Sequence, residues 1–329
     1  MSRVSALPAD AQRFVTEWLG SSWTAQPLRG DASVRAYYRI TAADGETYML
    51  AYYPPEVRSQ LKRFMSAYEA VSRHGQVPEV LRHSDAAVAQ RDVGDRTLFD
   101  LLHDDRAEGV RLYRAAIDLL VDFQRSPACD INPPFTAGFL LSELEMTREY
   151  YVEKLMGVED SSPLEPFFRK LADSLAQHPY VLCHRDFHGQ NIHVINGALY
   201  LIDYQDLRLG PDTYDLASLL RDRGVARTLG GETEMEMVGY YARRAGAPEG
   251  VRRRYFEALL QRSIKILGTF AKQPIARGRL HYLEFIPPTL ESVQRCLDEL
   301  PEFAALAGVL PMEFSMQRAR ERAQSLKEM

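Results

Sequence analysis

Three side chains that carry oxygen, Asp186, Asn191 and Asp203, have a spacing that could support chemistry. Asn196 and Gly197 lie between two short apolar runs, and this pair favours a two-residue β-hairpin turn because both positions need a positive φ. Strands folded about that turn bring Asn191 and Asp203 together at the open end of the hairpin. Asp186 lies on the loop just before that end. The sequence therefore predicts that two carboxylates and one amide oxygen converge.

Oxygen ligands of this kind suit a hard cation such as Mg²⁺, which binds few protein groups and keeps positions for phosphate oxygens. We predict that Asn191 and Asp203 are the metal ligands. The remaining carboxylate, Asp186, is predicted to orient a hydroxyl nucleophile and to accept its proton. The three residues could instead be ordinary turn and strand-end residues, but the hairpin that joins them argues against this.

The overall composition excludes several classes of protein. The chain has 329 residues, of which 46% are hydrophobic and 26% charged, and its net charge is -5. These values indicate a globular protein of one or two domains without a basic field for nucleic acid. The first residues have no apolar core typical of a signal peptide, and we expect no membrane span because no apolar run is long enough. The three cysteines have no metal-ligand spacing, so we expect a reducing cytoplasm.

The elements that must position the three residues fall into two regions. Short β-like runs crowd the N-terminal part, at 34–41, 47–53, 80–83 and 86–90 after a first strand near residue 28, with helices at 11–19 and 56–74. Beyond residue 91, apolar spacings of three and four predict mostly helices. We expect them at 98–102, 108–124, 139–156, 164–177, 214–221, 232–245, 251–269 and 280–297, with a turn at 209–212. The fold class is therefore predicted to be α+β.

Several blocks of the chain resemble the aminoglycoside phosphotransferase and choline kinase group of small-molecule kinases. They are HRDFHGQN (184–191), LIDYQD (201–206) and GPDTYDLASLL (210–220). A closer likeness is to the bacterial kinases that phosphorylate the anomeric hydroxyl of N-acetylmuramate and N-acetylglucosamine. GDASVRAYYRI (30–40), FLLSELEMTREYYVE (139–153), IDYQDLRLGPDTYDLASLLRD (202–222) and LQRSIKILGTFA (260–271) carry that likeness.

This resemblance implies a bilobal, protein-kinase-like fold. An antiparallel β small lobe, residues 1–93, would bind the nucleotide, and a mostly helical large lobe, residues 94–329, would carry catalysis and substrate binding. ATP would be the phosphate donor, although the sequence does not distinguish ATP from GTP. The acceptor would be an amino sugar from the recycling of the cell wall. The segment that joins the two lobes would be the hinge, whose backbone pairs with the adenine edge. It consists of Gln90, Arg91, Asp92 and Val93.

The small lobe departs from the kinase pattern at its third strand, which has no lysine to hold the α- and β-phosphates. We predict that Arg35 replaces this lysine, with Lys62 as second choice. Alternatively, Mg²⁺ and the amides of the preceding loop suffice. That loop could present N–H groups and a hydroxyl to phosphates, or be a plain hairpin loop; it consists of Gly30, Asp31, Ala32 and Ser33.

The remaining site predictions concern substrate and support. His184 and Arg185 are expected to hold the catalytic loop in shape, and Asp215 to accept hydrogen bonds from that loop rather than only to cap a helix. A sugar needs polar partners, and Arg208 is our first choice for the carboxylate of N-acetylmuramate. The full candidate set is Glu145, His188, Asp206, Arg208 and Arg221, each of which could instead be a solvated or paired group.

Two other functions remain open from the sequence. The protein could phosphorylate another alcohol, such as an aminoglycoside or a choline-like amine. It could also be an inactive, nucleotide-binding regulatory protein that lost activity together with the strand lysine. Retention of the base and both metal ligands argues against the second alternative, because a protein that only binds nucleotide does not need the base. The sequence leaves the oligomeric state open.

Overall fold

The computed structural model describes residues 7–28, 34–73, 76–127, 131–221, 224–246 and 249–328. Within them, an antiparallel sheet of five strands has the order β1-β2-β3-β5-β4. The strands are β1 (Trp23–Leu28), β2 (Ala36–Ala42), β3 (Thr47–Tyr52), β4 (Val80–His83) and β5 (Ala87–Arg91), with helices α1 (Ala9–Leu19) and α2 (Arg58–Val71) beside them. The predicted five-stranded sheet is therefore confirmed.

The two faces of this sheet have different neighbours, because side chains alternate along each strand. On one face, Leu50 and Tyr52 of β3 form a small core with Phe14 of α1. On the other face, Ala51 belongs to the main core together with Phe64 of α2. Strand β3 therefore separates a closed core from the face that borders the site.

The rest of the chain is mostly helical, as predicted. Its helices are α3 (Leu98–Asp104), α4 (Arg106–Gln124), α5 (Ala137–Thr147), α6 (Glu165–Leu175), α7 (Tyr214–Arg221), α8 (Val225–Leu229), α9 (Gly231–Ala245), α10 (Val251–Arg277), α11 (Ile286–Glu299) and α12 (Met316–Glu328). Two short antiparallel pairs interrupt them, β6 (Tyr180–Cys183) with β9 (Arg208–Pro211) and β7 (Ile192–Ile195) with β8 (Ala198–Leu201). Helix α10 packs against α5, α7 and α11. Among the described residues, no helix could cross a membrane.

Helices α5 and α10 approach each other closely at Gly268. A Cβ atom there would come within 2.6 Å of the backbone nitrogen of Thr147, so only glycine fits without a shift. The Thr147 hydroxyl accepts a hydrogen bond from the Gly268 N–H at 3.1 Å. Directly after this contact the predicted helix 139–156 changes from α to π geometry, over Arg148–Leu155.

The predicted turn at 209–212 is wrong. Gly210 and Pro211 belong to β9, which pairs with β6. A glycine is needed there because a Cβ atom would lie 2.3 Å from the ring of Phe135. Pro211 closes the strand opposite Tyr180, where a missing N–H costs least. A Gly-Pro pair looks like a turn in the sequence because the packed ring is distant along the chain.

Candidate active site

The hairpin β7–β8 brings the predicted metal ligands together. Asn196 and Gly197 both have positive φ, at 51° and 79°, as the turn requires. The Ile202 N–H donates to the Asn191 carbonyl at 2.9 Å. Asn191 and Asp203 therefore lie at the open end of the hairpin, so the predicted pairing is confirmed.

The loop that carries Asp186 is held from both sides. The Asp215 carboxylate accepts from the N–H groups of His184 at 2.6 Å and of Arg185 at 2.9 Å. The Arg262 guanidinium donates to the Arg185 carbonyl at 2.8 Å. Arg185 has a φ of 79°, a conformation that a non-glycine residue keeps only when its surroundings impose it. Asp215 and Arg262 are the groups that impose it.

His184 connects this loop to the strand end before Asp203. Its Nε2 lies 2.9 Å from the Ile202 carbonyl, which can only accept, so Nε2 carries the hydrogen. Its Nδ1 then accepts from the Asp186 N–H at 3.3 Å. The fully buried ring thereby fixes the spacing between the two carboxylates.

Asp203 and Asn191 line the same space between the sheet and the hairpin. The Asn191 Nδ2 donates to the Asp186 carbonyl at 2.9 Å, so its amide oxygen points to the other side. Asp203 has a φ of 64° and its side chain is 44% exposed. Gln205 donates to one of its oxygens at 2.8 Å, and the Arg35 guanidinium lies 3.6 Å from the same oxygen. A hard-oxygen donor pair of this kind fits Mg²⁺.

Two cavities meet at Asp186 and His188, which line both of them. One, of about 730 Å³, lies between the five-stranded sheet and the hairpin, and Asn191 and Asp203 also line it; we name it the nucleotide-side cavity after its predicted role. The other, of about 310 Å³, lies among α7, α8, α10 and α11; we name it the acceptor-side cavity, again after its predicted role. A carboxylate at the junction can act on a group in one cavity that reacts with a group in the other.

The charge state of Asp186 is set by its neighbours. The surrounding protein removes water from around the carboxylate, and this desolvation acts to raise its pKa although part of the group stays exposed in the open cleft. Nearby positive charge from Arg262 and Lys265 outweighs this and holds the pKa of Asp186 below its usual value. The group is therefore ionised and ready to accept a proton at neutral pH.

Sequence reasoning missed Arg262 and Lys265 of α10. Arg262 is almost fully buried, and Lys265 lies 2.9 Å from a Glu143 carboxylate oxygen. Both line the acceptor-side cavity. Their three-residue spacing on one helix face was a usable signal, but their distance along the chain from Asp186 hid the contact.

Arg35 lies in the nucleotide-side cavity, where a clamp for phosphate would be needed. Its side chain is 12% exposed, and the guanidinium lies over the rings of Tyr37, at 5.6 Å, and Tyr53, at 5.9 Å. Lys62 is an exposed residue of α2 and lines neither cavity, so its predicted role is not supported. The predicted phosphate loop, Gly30 to Ser33, lies outside the described residues.

Most of the predicted hinge borders the nucleotide-side cavity. Gln90, Arg91 and Val93 line it. Asp92 is the exception: its carboxylate is turned to Arg39, whose Nε lies 2.6 Å away, and it also accepts from the Gly94 N–H at 2.9 Å. The Asp92 side chain therefore anchors the end of β5 to β2, and the pairing of the hinge backbone with the adenine edge stays a prediction.

Three of the five predicted substrate residues line neither of the two cavities. Glu145 is paired with Arg148 on a shallow hollow outside the cleft. Asp206 is turned toward Arg63, at 2.7 Å, and the Arg208 guanidinium packs 4.1 Å from the centre of a phenylalanine ring, that of Phe139. These predictions are corrected, because each charge finds a partner outside the site.

The other two predicted substrate residues do line the acceptor-side cavity. His188 also lines the nucleotide-side cavity. Arg221 forms two hydrogen bonds, at 2.7 and 2.6 Å, with the buried carboxylate of Glu234. Arg221 therefore contributes a fixed wall, while His188 is placed beside the junction.

Known proteins share this architecture. A family model described as the phosphotransferase enzyme family matches residues 24–256. A protein of Neisseria meningitidis serogroup B named N-acetylmuramate/N-acetylglucosamine kinase is 29% identical over 299 residues, which cover 85% of this chain and 87% of that protein. The protein of the same name from Pseudomonas aeruginosa is 26% identical over 322 residues, which cover 93% of this chain and 93% of that protein.

Solved structures show the same fold at low sequence identity. The ADP-bound aminoglycoside phosphotransferase APH(2'')-Ib has a TM-score of 0.60 at 16% identity, covering 88% of this chain and 97% of that chain. An amicoumacin kinase in complex with AMP-PNP, Ca²⁺ and its substrate also has a TM-score of 0.60, at 14% identity, covering 94% and 97%. The predicted kinase-like fold is thereby confirmed.

Proposed function

This chain belongs to the phosphotransferase enzyme family, and we propose that it transfers the γ-phosphate of ATP to the anomeric hydroxyl of N-acetylmuramate or N-acetylglucosamine. The observation that carries the reaction type is the position of Asp186, which lines both cavities at their junction. The names of the two bacterial relatives, each of which covers most of this chain, support the acceptor. Such a reaction serves the recycling of cell-wall sugars.

Each of the two cavities is assigned one of the two reactants. In the proposal, the nucleotide-side cavity binds ATP against the hinge and the acceptor-side cavity binds the sugar. Asn191 and Asp203 would hold Mg²⁺, which neutralises charge on the phosphates when it is bound. Asp186 orients the sugar hydroxyl and accepts its proton, for which its lowered pKa suits it.

The charges of the acceptor-side cavity disfavour the aminoglycoside alternative. Among the described residues, the lining includes four basic residues, Arg221, Arg227, Arg262 and Lys265, and two acidic ones, Asp186 and Glu291. Three of these cations are paired with acids, Arg221 with Glu234, Arg227 with Glu291 and Lys265 with Glu143, so the described lining has no surplus of acid to attract a polycationic acceptor. The choline-like amine is disfavoured for the same reason.

A phosphoryl-transfer assay tests the proposed function. The purified protein would be incubated with ATP and Mg²⁺ and, in separate reactions, N-acetylglucosamine, N-acetylmuramate, glucosamine, choline and an aminoglycoside. We expect a sugar 1-phosphate from the two acetylated sugars, seen by phosphorus NMR and by loss of the reducing end. Turnover of the aminoglycoside or choline, without turnover of either acetylated sugar, would overturn the proposal.

The prediction that Arg35 replaces the missing strand lysine can be tested by mutation. We expect Arg35→Ala to raise the KM for ATP about tenfold, because a hydrogen bond to a charged group contributes about 1.5–3 kcal/mol and this guanidinium keeps some contact with solvent. The KM for the sugar should change little. The measurement is steady-state kinetics at low salt, where charge effects are largest.

Two variants control this test. Arg35→Lys keeps the charge and should recover part of the ATP affinity. Lys62→Ala removes a cation of the same lobe that lies outside both cavities, so its KM for ATP should equal that of the parent. An unchanged KM for ATP in Arg35→Ala would remove Arg35 from the phosphate site.

A further inference from the structure

One face of α10 forms a wall of the acceptor-side cavity along several turns. Arg262, Lys265, Ile266, Thr269 and Phe270 all line it, at the spacing of three and four residues that places side chains on one side of a helix. Arg262 and Lys265 are the cations that act on Asp186. From Arg262 to Phe270 the helix rises about 12 Å. The cavity therefore extends from a charged end beside Asp186 to a second end beside Phe270.

That second end is aromatic and apolar. The rings of Phe270 and Phe285 pack against each other with their centres 5.2 Å apart. Ile266 and Pro288 line the cavity with them. The two phenylalanines and Pro288 are only half-buried, so part of their apolar surface faces the space of the cavity. Such a surface favours a small apolar group of the acceptor.

The same end also offers a hydrogen-bond acceptor. The Thr289 hydroxyl donates to the carbonyl of Phe285, the residue just before α11, at 2.7 Å. Its hydrogen is therefore used, while the lone pairs of its oxygen remain for a donor. Thr289 lines the cavity together with Phe270 and Phe285. An apolar surface beside an acceptor oxygen matches a group that has an N–H next to a methyl, which is the chemistry of a small N-acyl amide.

We propose that Phe270, Phe285 and Thr289 form the subsite for the N-acyl group of the acceptor. This inference rests on the proposed function, in which the anomeric hydroxyl lies beside Asp186. The amide on C2 is next to the anomeric carbon, so it enters the cavity just beyond the reacting hydroxyl. The rings bound the depth available to the acyl chain, and the Thr289 oxygen accepts from the amide N–H. The subsite thereby selects short acyl groups.

The test enlarges the subsite and lengthens the acyl chain. Phe270→Ala and Phe285→Ala would each be assayed with N-acetyl-, N-propanoyl- and N-butanoylglucosamine. We expect the ratio of kcat/KM for the butanoyl over the acetyl sugar to rise about tenfold over the parent in both variants, since a few methylene groups in an apolar pocket are discriminated to that extent. Phe285→Ala gives a second reading if Phe270→Ala folds poorly.

A matched control separates pocket shape from stability. Phe167→Ala removes a half-buried ring of α6 that lines neither cavity, and its acyl ratio should equal that of the parent. Folded variants that turn over N-acetylglucosamine with an unchanged ratio would overturn the subsite and leave the sugar kinase activity standing. A parent that turns over another acceptor but no acylated sugar would overturn the proposed function, and the subsite with it.

Discussion

Asp186→Asn should lower turnover about a thousandfold while nucleotide binding stays close to that of the parent. A positioned general base contributes a factor of about 100 to 10,000, and asparagine keeps the shape of the side chain without accepting a proton. The contacts that hold residue 186 in its loop come from its main chain: its N–H donates to His184 and its carbonyl accepts from Asn191. The variant should therefore fold normally and bind Mg·ATP, as measured by a nucleotide titration beside the kinetics.

The pH dependence of the parent follows from the same group. The positive charges around Asp186 lower its pKa, so the ionised, active form persists below the usual range of a carboxylate, near pH 4. The rate should therefore not fall between pH 8 and pH 5 because of this residue. A loss of kcat/KM with a midpoint near pH 6 that disappears in Asp186→Asn would contradict the lowered pKa.

Asp206→Asn is the matched control for this prediction. Asp206 is a carboxylate close to the same hairpin, but it is paired with Arg63 and lines neither cavity. Its turnover should stay within a few-fold of the parent, because an exposed ion pair contributes about 0–1 kcal/mol. A loss in Asp206→Asn as large as that in Asp186→Asn would mean that removal of any acid near the hairpin, and not removal of the base, stops the reaction.

The core of the site could be predicted from the sequence because its parts are close along the chain. The turn at Asn196 and Gly197 fixes the register of the hairpin, and the register fixes Asn191 beside Ile202. Only local backbone preferences are needed for this step. Family membership followed from the same block and is confirmed. The division into lobes at residue 93 and the roles of the single site residues remain predictions.

The residues that were missed or misplaced depend on contacts between distant segments. Arg262 is 76 residues from Asp186, and no local pattern reports which cation of a long helix turns inward. Glu145, Asp206 and Arg208 are polar and lie on elements predicted to face the catalytic loop, so the sequence favours them as substrate residues. Each is instead paired or packed outside both cavities, and such pairing is decided by the tertiary structure rather than by sequence proximity.

Asp203→Asn should affect nucleotide binding in a direction that depends on the metal. With Mg²⁺ present, the variant should bind ATP about tenfold more weakly, because a charged oxygen ligand becomes a neutral one. Without Mg²⁺, ATP should bind as well as or better than to the parent, since the carboxylate no longer repels the phosphates. Asparagine tolerates the left-handed backbone at this position, where φ is 64°, so the hairpin end should keep its shape.

The comparison with Asp186→Asn makes this reversal decisive. Both variants remove one carboxylate from the nucleotide-side cavity, but only Asp203 lies 3.6 Å from the Arg35 guanidinium at the predicted metal position. Loss of that carboxylate removes one competitor of the phosphates for the Arg35 guanidinium, which adds to the gain expected without metal. Calorimetric titrations of both variants with ATP, with and without Mg²⁺, measure this directly. If Asp203→Asn binds Mg·ATP as tightly as the parent, Asp203 is not a metal ligand and the division of roles between the two carboxylates is wrong.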